Sequence, residues 1–279
     1  MPGIAAPVLA ALTQFAVGGL WAQTLVPLPA IGRGFFATCS LVLLAVQVTV
    51  LWVLGAAGVA SGGLSPNHAL GASGTALLLP GAAAFAAALL AHLLSLSLAG
   101  HRSVRLTRTI ALLIGAGLLV LGAWGGTNGL GPLGFPLRLV NGVLGAGILG
   151  LAFVGMLLGH RYLNEPHLPL RLIDRLSRVF LWTVLALACY PVVAAGLLWL
   201  EGGVALQSAL VGLKEHLLLV ILRLGVGVGG SLTVALIIRD CLRLPNVQAA
   251  TGFYYVAMLT VFLGEVLGRF LLTLASLPL

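Results

Sequence analysis

Glu265 and Arg269 lie one helical turn apart inside an otherwise apolar run from Thr251 to Leu274, TGFYYVAMLTVFLGEVLGRFLLTL. A carboxylate in such a setting can take up and release protons, and a guanidinium four residues on can hold its charge or orient a neighbouring oxygen. Ionisable groups inside a lipid-crossing helix are costly and face protein or a cavity, which makes each a candidate functional group. The competing reading is a structural ion pair near the helix end, with Arg269 reaching to the interface. A second buried guanidinium, Arg223, stands in the apolar stretch LLLVILRLGVGVGG, and Gln14 and Asn141 place amides in two others.

The elements that must position these groups are membrane spans. Hydrophobic residues make up 60% of the 279 and charged residues 7%, far below the roughly 25% charged of a soluble domain. Eight apolar segments, at about 7–28, 35–59, 71–98, 107–125, 138–158, 178–199, 215–237 and 251–274, are long enough to cross a ~30 Å hydrocarbon core as helices. The expectation is an all-α integral membrane bundle of eight transmembrane helices, forming a single transmembrane domain over 1–279. The first stretch lacks a basic leader and a clear small-residue cleavage site, and reads as a retained span.

Loop charge sets the orientation. Arg33, then Arg102, Arg105 and Arg108, then Arg161, Arg171, Arg175 and Arg178, then Arg239 and Arg243 follow alternate spans; ten of the fourteen basic residues thus fall on one side. The positive-inside rule makes that side cytoplasmic and puts both termini outside. Confinement of the positives to short loops is a topology signal and argues against a nucleic-acid-binding face.

With that topology, Glu265 lies roughly 20 Å along the eighth span and Arg223 roughly 12 Å below the outer surface, both in the outer half. Gln14 and Asn141 fall in the same half, and Arg138, His68, His216 and Arg269 lie at or near its surface. The inner half has His92, Gln23 and Gln47, with His101 and His160 at the surface. Buried charges need partners, and depth makes Arg223 and Glu265 the natural pair. A carboxylate with hydrogen-bond donors opening to one surface suits a quinol, whose oxidation releases two protons. The alternative is a polar plug that holds the helices together.

Other patterns set further expectations. Cys39, Cys189 and Cys241 are isolated, without the spacing of a zinc or iron–sulfur site, so the chain is expected to hold no metal. A haem b held by two histidines lacks a deep partner for His92. The glycines of the fifth span (Gly142, Gly145, Gly147, Gly150, Gly155, Gly159) and of the seventh (Gly225, Gly227, Gly229, Gly230) mark both as central packing helices. Pro80 and Pro191 free backbone carbonyls in the third and sixth spans. The segment from Gly159 to Ser177 reads as the longest cytoplasmic loop. Trp21, Trp124, Trp199, Tyr162, Tyr254 and Tyr255 read as interfacial anchors.

The stretches LTQFAVGGLWA (Leu12 to Ala22) and FLGEVLGRFLL (Phe262 to Leu272), with a weaker match at GPLGF (Gly131 to Phe135), resemble the membrane anchor subunits of the dimethyl sulfoxide reductase type. These belong to the wider polysulfide reductase and NrfD-like family, and the likeness covers about a fifth of the chain. It implies a quinone-reactive or non-catalytic subunit of a multi-subunit oxidoreductase in the plasma (inner) membrane. The partners it implies are an iron–sulfur subunit and a molybdopterin catalytic subunit, with menaquinone or ubiquinone bound non-covalently near the outer face. The family's second outer loop and third span carry a His and an acid at the quinol site. Here His68 is present in GGLSPNHALGASG, but no acid follows and Pro80 stands nearby. The acid role then falls to Glu265, with Gln14, His68, Asn141, Arg223 and Arg269 lining the quinone. A small-molecule transporter, a haem b subunit and a purely structural anchor are the alternatives.

Overall fold

The structure, a computed structural model, describes residues 2–60, 72–98, 100–124, 133–165, 167–200, 207, 211 and 214–275. The described residues form helices and their connections, with no strand among them. In lipid a backbone must satisfy its own hydrogen bonds, which a helix does within one segment. Eight helices are long and apolar enough to cross a membrane, as the sequence predicts. They are α1 (Pro2–Ala22), α2 (Arg33–Ala60), α3 (Ala72–Leu98), α4 (His101–Trp124), α5 (Gly134–Asn164), α6 (Arg171–Leu200), α7 (Leu217–Arg243) and α8 (Val247–Ala275). A one-turn helix, Leu28–Ile31, links α1 to α2 and ends at Gly32, whose φ of 85° is one a side chain would strain.

Cross-helix pairs give the directions. Gln23 meets Ser40, Gln47 meets Ala82 and His92 meets Thr107, so α1 to α4 alternate up and down. Tyr190 meets Leu137, Arg239 meets Asp174 and Arg223 meets Glu265, which continues the alternation through α5 to α8. The basic residues that cluster in sequence therefore share one end of the bundle, hereafter the arginine-rich end; the other is the arginine-poor half.

The helices are longer than hydropathy predicts. The expected loop from Gly159 to Ser177 is mostly helical, because α5 runs on to Asn164 and α6 begins at Arg171. The extensions carry their own support in i,i+4 ion pairs, Arg161–Glu165 at 2.5 Å and Arg178–Asp174 at 3.2 Å. Asp174 also sits in the first turn of α6, where a carboxylate offsets the helix dipole. A hydropathy window stops at the first charge; a helix does not.

At the centre is α5, with 72% of an apolar eighteen-residue stretch buried, and α1 lies beside it with 56% of its own. The two run parallel and their backbones touch. A Cβ on Gly150 would overlap the Gly18 carbonyl, and one on Gly18 would overlap the carbonyl of Ala146. Without water to drive helices together in lipid, such close approach through small residues is the main packing device. The glycines of α7 mislead in this respect. Only 28% of its own such stretch is buried, and it lies at the periphery. Tyr162 and Tyr254 also depart from expectation, being buried rather than interfacial; Tyr254 fills the space left by Gly155 and packs on Phe180. Trp21, Trp124, Trp199 and Tyr255 are exposed, as anchors require.

Gly150→Ala should lower the thermal midpoint of the detergent-purified protein strongly, since overpacking costs ~1–3 kcal/mol or more when backbone must move. Gly117→Ala, where nothing lies within 4 Å of the new methyl, should be neutral or slightly stabilising. Equal midpoints for the two variants would show that the α1–α5 crossing does not hold the bundle.

Candidate functional site

Four helices bring the predicted groups together in the arginine-poor half. On α8, a Cβ at Gly264 would meet the Gly227 Cα of α7 at 2.5 Å, so these two helices also touch backbone to backbone. That closeness lets Arg223, one turn before Gly227, reach Glu265. The Arg223 Nη2 donates to Glu265 Oε1 at 2.8 Å, and both side chains are 1% exposed. Across the interface α5 presents Gly145. A methyl there would collide with the Glu265 carboxylate and come to 3.1 Å from the Gln14 Nε2. Glycine at this position is what allows the acid of α8 and the amide of α1 to converge.

The remaining polar groups adjoin the pair. Arg269 Nη2 donates to Asn141 Oδ1 at 2.6 Å and stands 3.8 Å from Glu265 Oε2. Gln14 Nε2 donates to the Gly142 carbonyl at 2.9 Å. Glu265, Gln14, Asn141, Arg223 and Arg269 thus form one buried cluster, while His68 lies outside the described residues. Five buried atoms here find no hydrogen-bond partner among the described residues: Gln14 Oε1, Asn141 Nδ2 and the Nε of Arg138, Arg223 and Arg269. Native interiors leave few such atoms, so a group of them marks a place where polar contacts are available to a ligand.

Arg138 and Arg269, both expected at or near the outer surface, are buried, and one member, Tyr190, escaped the sequence reading. Tyr190 of α6 is buried too and donates from its hydroxyl to the Leu137 carbonyl at 2.8 Å. Arg269, Asn141 and Arg138 are its polar neighbours. Its place just before Pro191, at a depth matching Asn141, was the available signal. Tyr190 also lines a cleft of about 170 Å³ between α5 and α6, with Leu133, Pro136, Leu137, Val140, Val193 and Leu197. The cleft is apolar, and Val140 and Val193 are exposed on its lips. Polar cluster and apolar slot therefore meet at one side chain.

The other polar groups are separate. His92 is buried in the opposite half and pairs with Thr107 at 3.2 Å, within a network that includes Ser95. His101 and His160 are exposed. Among the described residues no group of His, Cys, Asp or Glu could hold a metal ion. Compared with known proteins, the chain matches no family profile, no curated protein and no solved structure.

Among the described residues the cluster sets three guanidiniums, Arg138, Arg223 and Arg269, against one carboxylate, Glu265. Breaking a buried pair costs about 3–5 kcal/mol because it strands a charge, but the two halves of this pair are not equivalent. Arg223→Gln leaves Glu265 with Arg269 to turn to, whereas Glu265→Gln leaves three cations without an anion. Glu265→Gln should therefore depress the thermal midpoint more than Arg223→Gln; the reverse order would contradict this charge balance.

Proposed function

We propose that the chain is an integral membrane anchor subunit of a respiratory oxidoreductase complex in the plasma (inner) membrane. In this reading both termini lie outside, and a quinone binds in the outer, arginine-poor half. Electrons pass between the quinone pool and an iron–sulfur partner subunit, with a molybdopterin subunit as the catalytic end of the complex. The observation that carries the reading is the junction at Tyr190 of an apolar cleft with exposed lips and the buried polar cluster of Arg269, Asn141 and Arg138 beside Glu265. A quinone has the same division, a polar ring on a hydrocarbon tail, and small-ligand sites pair apolar walls with a few placed polar groups. The resemblance of Leu12 to Ala22 and Phe262 to Leu272 to the dimethyl sulfoxide reductase type of anchor points the same way.

The chemistry supplied by the bound quinol is loss of two electrons and two protons. The side chains supply the rest. Tyr190, whose own proton is held by the Leu137 carbonyl, accepts a hydrogen bond from a quinol hydroxyl, and the unpaired Nδ2 of the neighbouring Asn141 is the donor to a ring oxygen. Glu265 takes up a released proton on Oε2, the oxygen that accepts no hydrogen bond from a described residue. Arg223 fixes the carboxylate through Oε1 so that Oε2 keeps its direction. The Leu133, Pro136, Val140 and Leu197 walls exclude water and hold the tail.

Purification in mild detergent should yield a brown complex with iron–sulfur absorbance and an extractable quinone, identified by mass spectrometry. Within it, Glu265→Asp keeps the charge but withdraws it by one methylene, and a displacement near 1 Å can cost ~100-fold in rate. Quinol-dependent reduction of the partner should fall by at least tenfold with assembly intact. A colourless chain that purifies alone, without quinone, would overturn the proposal and favour a small-molecule transporter.

A further inference from the structure

The arginine-rich end is electrostatically divided. Every acidic residue lies between Glu165 and Glu265, and residues 1–164 contain none. On the α5–α8 side Arg161 pairs with Glu165, Arg178 and Arg239 share Asp174, and Arg243 pairs with Asp240 at 2.9 Å, while Arg171 and Arg175 make no ion pair among the described residues. On the α1–α4 side, Arg33 spends its guanidinium on the Leu96 carbonyl at 3.4 Å. Arg102 and Arg105 make no ion pair among the described residues. They line an open cavity of about 380 Å³ with His101, Leu106 and Thr109.

The face of α4 that carries this cavity changes character along its length. His101, Arg102 and Arg105 occupy the first turn and a half, Thr109 lies one turn further on, and Leu106, Ile110 and Leu113 run beside and beyond them at i, i+4 and i+7. The leucines are 62% and 68% exposed, and the shared spacing puts basic and apolar residues on one helix surface. A cationic patch above a continuous apolar strip matches an anionic headgroup above an acyl chain. Basic pockets of this kind at the cytoplasmic ends of spanning helices bind acidic lipid headgroups. We propose that this site binds an anionic phospholipid, with Arg102 and Arg105 on the phosphate and a chain lying along Leu106, Ile110 and Leu113. The proposal is independent of the quinone reading, which concerns the opposite half.

Native mass spectrometry of the full chain, released from detergent micelles containing phosphatidylglycerol or phosphatidylcholine, tests it. The protein should retain phosphatidylglycerol about tenfold or more in preference to phosphatidylcholine, and the R102Q/R105Q variant should lose that preference. R243Q, which removes a cation already neutralised by Asp240, should leave it unchanged. Both variants alter exposed side chains, and unshifted thermal midpoints in phosphatidylcholine will confirm their fold. The proposal fails if the wild type shows no preference, if R243Q weakens it as much as the double variant, or if millimolar inorganic phosphate displaces the lipid and so identifies a soluble anion as the occupant.

Discussion

A buried charge in a lipid-crossing bundle must meet its partner at short range, and the Arg223–Glu265 pair meets that demand only because the backbones around it approach so closely. Gly227 faces Gly264 where α7 and α8 touch, and Gly145 of α5 leaves the space into which the carboxylate projects. A methyl at any of the three positions meets a neighbouring atom. Glycine packing and charge pairing are therefore one device. The small residues let helices associate without a hydrophobic driving force, and the ion pair fixes which register they adopt. Buried ion pairs are weak evidence of net stability, but removal of one partner is severe. The register of α5, α7 and α8 is thus guarded by a penalty rather than by an attraction.

How much of this was legible in sequence follows the physics of each feature. Eight spans are read from composition because lipid permits few alternatives, and the pairing of Arg223 with Glu265 follows from depth once the spans alternate. Span ends were misplaced because interfacial turns such as Arg171–Arg178 are charged yet helical, held by pairs that a hydropathy scale counts as breaks. The central role assigned to α7 was wrong for a different reason. Glycine marks close approach but not on how many sides, and α7 packs against α8 and α6 with its remaining surface exposed, whereas α5 is enclosed by α1, α6 and α8. Tyr254 was taken for an anchor from its place near a span end; its ring faces Gly155, a complementarity visible only across helices. Tyr190 and the α5–α6 cleft belong to the same class, since lateral proximity leaves no trace in a single chain's periodicity.

The two ends of the molecule use cations in opposite ways. In the arginine-poor half, Arg138, Arg223 and Arg269 are withdrawn from solvent around one acid, where low dielectric makes each contact strong and specific. At the arginine-rich end most guanidiniums are open to solvent, and among the described residues they meet acids on the α5–α8 side. The same residue type is a buried chemical group in one place and a surface charge in the other. Burial, rather than sequence count, separates the two.

The π-helical segment Arg223–Gly230 explains how α7 serves both ends. Hydrogen bonding to the fifth residue holds slightly more chain per turn than an α-helix, so the segment works as a phase shifter between the two halves of one rod. Below it, Ser231 meets Thr260 and Arg239 meets Asp174; above it, Arg223 turns toward Glu265. Each residue added to or removed from an ideal α-helix turns everything beyond by roughly 100°. One residue inserted or deleted between Arg223 and Ser231 would therefore swing Arg223 off Glu265, so the length of this segment matters to the ion pair as much as the glycine at 227.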